Sequence, residues 1–232
     1  MVFKADGEAL IGREGNETLR IEAWGKNALR VRSTMRPGFT GLERGLTEQA
    51  ENGPARIKID PALSSITNGR IRAEVNESGI IAFFKDDERV LYEYNRAYGV
   101  PLTKESRCLK VVAREFTGMA SDAFRLAVRF ERNEGERIYG CGQYQHPYLD
   151  LKGCMLELAQ KNSQVSIPFA LSSLGYGFLW NNPATGRVSF GKNLTEWVAD
   201  ETEELDYWIT VDDTPAAILE NYTAVVGRAP VL

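Results

Sequence analysis

Cysteine is scarce in this 232-residue chain: Cys108, Cys141 and Cys154 are odd in number, and none stands in a CxxC pair. That counts against a disulfide framework and against a zinc site, so reduced thiols are expected, with no metal and no cofactor. No apolar run of signal-peptide length occurs in the opening MVFKADGEALIGREG, which carries Asp6, Glu8 and Glu14. Export is not encoded there, and a cytoplasmic location is expected. Lys/Arg runs are missing too, and the net charge is −4. Such a chain has no field to hold a phosphate backbone or an anionic leaflet, so neither nucleic acid nor membrane is an expected partner. No internal repeat of fixed period is visible, which counts against a propeller or solenoid.

What is present is a succession of short strand signals. With 43% hydrophobic residues the chain can bury a sizeable core. Thr18 to Trp24 alternates Leu19, Ile21 and Ala23 against Arg20 and Glu22, and Ala28 to Ser33 repeats the alternation after a Gly25-Lys26-Asn27 turn. This predicts a hairpin with one wet face. Residues 36 to 54, glycine-rich and without periodicity, read as a long loop, and pairing resumes at Ile57 to Ile59. Arg70 to Val75, Ile80 to Lys85 and Arg89 to Tyr94 form a meander that Leu109 to Phe116 and Phe124 to Glu131 continue. Arg187 to Phe190, Leu194 to Ala199 and Asp206 to Val211 are again strand-like.

The period then changes. Thr214 is placed as an N-cap with Pro215 at the first helical position, Ile218, Leu219, Tyr222, Val225 and Val226 make one apolar stripe, and Gly227 ends it. A dozen or more strands and one terminal helix predict an all-β protein built as a large antiparallel β-sandwich over residues 1–211, with a helix and linker over 212–232.

The chemistry concentrates between Arg137 and Trp180. Gly140 and Gly142 flank Cys141 at a sharp turn, after which come Gln143, Tyr144, Gln145 and His146. No helix signal and no P-loop lysine follow, so this is not a phosphate loop. Nor is Cys141 an expected nucleophile, since neighbouring strand residues point to opposite faces and no orienting Asn or Asp is evident. Gln160, Asn162, Ser163, Gln164 and Ser166 precede Ile167-Pro168-Phe169 as a polar segment between buried strands. Amides and hydroxyls pair with sugar hydroxyls, and Tyr144, Tyr148, Tyr176 and Trp180 could stack on a pyranose; the alternative is turn residues and core aromatics.

The ordered blocks YGCGQYQHPYLDLKG, LELAQKNSQVSIPFALSSLGYGFLWNNPATGRVSFG and EWVADETEELDYWITVDDTPAAILENYTAVVGRAPVL closely resemble the N-terminal β-sandwich domain of glycoside hydrolase family 31, the α-glucosidase and α-xylosidase family. The resemblance is strong over 137–232 and extends in character to the earlier strands. It implies a galactose-mutarotase-like supersandwich whose last helix leads toward a catalytic (β/α)8 barrel. In that family two barrel aspartates carry out a retaining double displacement, and a barrel needs about 250 residues. The sequence stops at Leu232, so the expectation is a domain without catalytic residues, inactive alone and prone to self-associate through the face that would dock the barrel.

The resemblance also implies that a sandwich loop helps wall the sugar subsite. The matching segment is Gln160 to Ser166, with Asn162 standing where many relatives carry an aspartate, so Asn162 and then Gln160 and Gln164 are the expected carbohydrate contacts, for an α-linked glucoside or xyloside. Two other readings remain: a free-standing carbohydrate-binding module, and an aldose mutarotase. The mutarotases use a histidine pair and a glutamate, whereas this chain has one histidine, His146.

Overall fold

The computed structural model describes residues 1–41, 44–47, 53–94, 96–97, 110–119 and 122–228. In chain order the strands are β1 (Val2–Asp6), β2 (Ala9–Glu14), β3 (Glu17–Ala23), β4 (Ala28–Thr34), β5 (Arg56–Lys58), β6 (Leu63–Asn68), β7 (Ile71–Asn76), β8 (Ile81–Lys85), β9 (Glu88–Tyr92) and β10 (Arg96–Ala97). They continue as β11 (Lys110–Val111), β12 (Arg114–Gly118), β13 (Phe124–Glu131), β14 (Ile138–Gln143), β15 (Met155–Leu158), β16 (Val165–Ser172), β17 (Tyr176–Trp180), β18 (Gly186–Phe190), β19 (Leu194–Thr202) and β20 (Leu205–Val211). One helix, α1 (Pro215–Val226), closes the described chain.

The protein is all-β. An eight-stranded sheet in the order β1-β2-β3-β4-β20-β17-β16-β14 forms one layer. The meander β5-β6-β7-β8-β9 and a second five-stranded sheet, β12-β13-β19-β18-β15, form the other. The two smaller sheets are joined where Glu93 bridges Phe130 and the Tyr94 amide donates to Arg129 O at 2.9 Å. The expected continuous meander is therefore broken, because β12 pairs with β13, whose other edge pairs with β19 in a separate sheet. Of the expected 109–116 strand, Leu109 lies outside the described residues, and the rest divides into β11 and β12.

Alternation explains the packing. In β3, Leu19, Ile21 and Ala23 are buried, and in β13 Leu126, Val128 and Phe130 are buried, with the Phe130 ring edge-on to Phe178 at 5.4 Å and to Tyr207 at 5.9 Å, which stack on each other at 4.9 Å. A smaller apolar cluster, with Phe169, Leu179 and Trp208, lies on the outer face of the large sheet, where Ile218 and Val225 of α1 cover it.

Thr214 caps that helix by accepting the Ala217 amide at 3.2 Å, and Gly227 follows it at φ 93. Leu219 departs from the expected stripe, at 45% exposure. Asn221 is buried in its place because its amide donates to Thr210 Oγ1 at 3.1 Å. The hairpin β3-β4 also lacks the expected wet face on β4: Arg30 is buried, bonded through Nε and Nη2 to both oxygens of Asp206 at 3.0 and 2.7 Å. No helix among the described residues is long and apolar enough to cross a membrane.

Candidate functional site

The two layers end in edge strands, β14 and β15, and the polar segment lies beside them. Its local geometry begins with glycine. Gly140, Cys141 and Gly142 take φ of 96, 61 and 96 in succession, and the register against β16 slips there, Gly140 facing Ala170 but Gly142 facing Ser166. A Cβ on Gly140 would lie 2.6 Å from Phe169 O and one on Gly142 2.0 Å from Val165 O. The bulge is built by the close approach that only glycine permits. Cys141 is carried into the core by this twist, and burial pushes its thiol up to about 12.

Beyond the bulge, Tyr144 reaches across to β15 and β16. Its hydroxyl lies 2.9 Å from Glu157 O and 2.8 Å from Ser166 Oγ, and burial is the main effect holding it above the ordinary phenol range. His146 stacks on Tyr144 at 6.0 Å and 10°, and Tyr148 leans on His146 at 5.8 Å. His146 Nδ1 accepts the Tyr148 amide at 3.2 Å.

The segment between β15 and β16 is a tight hairpin. Gln164 N donates to Lys161 O at 3.1 Å and Ser163 sits at φ 67, which fits a type II turn across Asn162 and Ser163. Gln160 closes the loop at its base: Nε2 donates to Ser166 O at 2.7 Å, and Oε1 accepts the Ser166 amide at 3.1 Å. Lys161 pairs with Glu157 on β15.

The three expected sugar contacts thus stand in different situations. Asn162 is at the exposed tip, and among the described residues nothing bonds its amide. Gln164 is half-buried beside it. Gln160 has both functions of its amide engaged on the chain itself.

Of the four candidate stacking aromatics, two are excluded. Tyr176 is buried with its hydroxyl on Glu136 Oε1 at 2.6 Å, and Trp180 is buried against Trp197. Tyr148 is 62% exposed.

A groove of about 550 Å³ lies next to the hairpin base, between Leu158, Gln160, Pro168, Leu179 and, from α1, Tyr222 and Val226. Its rim includes Arg44, whose buried guanidinium donates to Asn181 O at 3.2 Å and lies 3.7 Å from Glu204. Arg44 comes from the long loop, where no periodic pattern marked it. Among the described residues no group of three His, Cys, Asp or Glu side chains could hold a metal.

Known proteins share this architecture. A crystallised family 31 α-xylosidase from a soil metagenome, complexed with xylose, is 43% identical and superposes on 100% of this chain with a TM-score of 0.93, covering 35% of its own length. A family 31 glucosidase of Pseudescherichia vulneris is 43% identical over 231 residues, 96% of this chain and 44% of that protein. Over nearly its whole length the chain is similar to enzymes of glycoside hydrolase family 31. An α-xylosidase of Saccharolobus solfataricus aligns at 33% identity over 118 residues, 47% of this chain and 16% of the archaeal protein. No family model matches the chain. The chain therefore spans less than half the length of the relatives it matches.

Proposed function

We propose that this chain is the non-catalytic N-terminal β-sandwich domain of a retaining family 31 α-glycosidase of α-xylosidase or α-glucosidase type, and that its hairpin at Asn162 contributes to the sugar pocket. The observation that carries this reading is the 43% identity spread over the whole chain to an α-xylosidase whose structure holds xylose, with the chain accounting for 35% of that enzyme. The exposed amide at the tip of a braced turn supplies the chemistry, since an amide both donates to and accepts from sugar hydroxyls. Residues 1–211 form the sandwich and 212–232 the helix and linker toward a (β/α)8 barrel, which would carry the two catalytic carboxylates. Asp206 cannot serve as one, being tied to Arg30 and Asn181 in the sheet.

The test is an assay of the purified 232-residue chain against p-nitrophenyl α-xyloside and α-glucoside, with calorimetric titration of xylose. No turnover is expected. Turnover abolished by a single carboxylate substitution would overturn the domain assignment. The groove beside α1 is where the barrel would dock, so the isolated chain should self-associate; a sharp monomer in size-exclusion chromatography with light scattering would count against that.

A further inference from the structure

Gln160 entered as an expected sugar contact, yet its amide is spent on Ser166. We infer that Gln160 and Tyr144 are positioning residues: together they clamp Ser166 and thereby fix the Lys161–Gln164 hairpin in the one arrangement that presents the Asn162 amide. The inference rests on the reading of that tip as part of a sugar pocket.

The geometry forms a closed figure. Gln160 and Ser166 face each other across the base of the hairpin with two bonds, the pairing a strand neighbour would supply, although Gln160 belongs to no strand. Ser166 is simultaneously held by the Tyr144 hydroxyl through Oγ, and the same hydroxyl touches Glu157 O on β15. The hairpin is therefore braced from β14's extension, from β15 and from its own base.

Position of the brace matters because the tip itself has little to hold it. The turn carries one backbone bond, Gln164 N to Lys161 O, and Ser163 in the left-handed region, a conformation that costs a non-glycine residue free energy. Without the base, a two-residue turn of Asn and Ser has several competing conformers, and a contact amide that samples them binds more weakly by the fraction of time it is misplaced. Two donors and two acceptors on one glutamine suit this role; a glutamate keeps the acceptor for the Ser166 amide but sets a charged oxygen against the Ser166 carbonyl, and so makes half the clamp.

The experiment is amide hydrogen exchange and xylose titration, both followed by NMR on the full 232-residue chain, in wild type, Gln160→Ala, Gln160→Glu, Tyr144→Phe, Asn162→Ala and the double variant Gln160→Ala/Asn162→Ala. Exchange at Ser166 and Gln164 should quicken about tenfold in Gln160→Ala, with Gln160→Glu between it and wild type. Xylose affinity should fall by a similar factor, and that fall should vanish in the Asn162→Ala background. Unchanged exchange in both Gln160→Ala and Tyr144→Phe overturns the clamp, whatever the sugar does. Faster exchange in a chain whose wild type shows no xylose-dependent shift at 160–166 overturns instead the pocket reading, and with it the positioning role. Equal losses of affinity in the presence and absence of Asn162 would also overturn it, since Gln160 would then act by another route.

Discussion

At the scale of single residues, the site depends on atoms that are missing. Gly142 faces Val165 O and Ile167 N so closely that a methyl carbon would stand 2.0 and 2.8 Å from them, and both contacts are backbone that cannot rotate away. Its φ of 96 adds a second penalty for any L side chain. Gly142→Ala should therefore cost about 3 kcal/mol or more, read as a lowered urea midpoint, whereas an alanine at Gly135, with an open surrounding, should cost less. A midpoint equal to wild type for Gly142→Ala would mean that the β16 bulge relaxes freely. Cys141 between the glycines gives a second check. Its thiol is buried and pushed up to about 12, while Cys154 is half-buried. In the native chain at pH 8, a maleimide should label Cys154 and spare Cys141.

Elements show where sequence reading succeeds and where it stops. The strands β3, β7 and β13 were legible because apolar residues occupy their buried positions, two apart. β6 was not, for its inward positions are Ser64, Ile66 and Asn68. Ser64 Oγ serves Asp60 O, and the Asn68 amide ties to Gly25 O and Ala28 O at 2.7 Å each, so buried polar groups with partners on the chain erase the pattern. The same limit applied to the site. The polar hairpin could be located from composition, but that Gln160 would brace and Asn162 would point outward depends on a turn closing Gln160 onto Ser166. No local pattern encodes that.

The start of α1 carries its own pH dependence. Asp213 is held well below the usual carboxylate range by hydrogen bonds from Arg70 and then Lys85, and Asp86 is lowered by the same Arg70. Both folded values lie below the unfolded ones, so this stabilisation is present above about pH 4 and is lost as pH falls through the depressed folded values. Arg70→Ala should lower the thermal midpoint at pH 7, and the gap to wild type should narrow steadily as pH falls from 4 to 2. A gap that stays constant across that window would rule out the ion-pair account.

On the scale of the whole molecule, Arg114 joins all three large sheets. From β12 it donates to Glu17 of β3 at 2.8 Å, to Gly79 O before β8 at 2.8 Å, and to Glu93 just past β9. Glu93 is fully buried, and burial is the largest effect on it, raising its pKa against the pull of Arg114. Glu17 goes the other way, held low mainly because Arg114 offsets the cost of its burial. Taking away the cation would strand Glu93 in the core. Arg114→Met should therefore cost about 3–5 kcal/mol at neutral pH, the usual penalty for halving a buried pair.

The pH dependence of that loss identifies its cause. Without Arg114 the folded Glu93 value rises further above the unfolded one, so protonation stabilises the variant: that contribution is fully present below the unfolded pKa and disappears as pH rises through the raised folded value. Wild type has the opposing term from Glu17, which weakens it as pH falls. Urea unfolding of both proteins at pH 5 and pH 8 should thus show the smaller deficit at pH 5. The double variant Arg114→Met/Glu93→Leu, which leaves neither charge behind, should recover part of the loss at pH 8. A deficit identical at both pH values, with no recovery in the double variant, would mean that Arg114 holds the sheets together by packing and its bond to Gly79 O, with the buried charge playing no part.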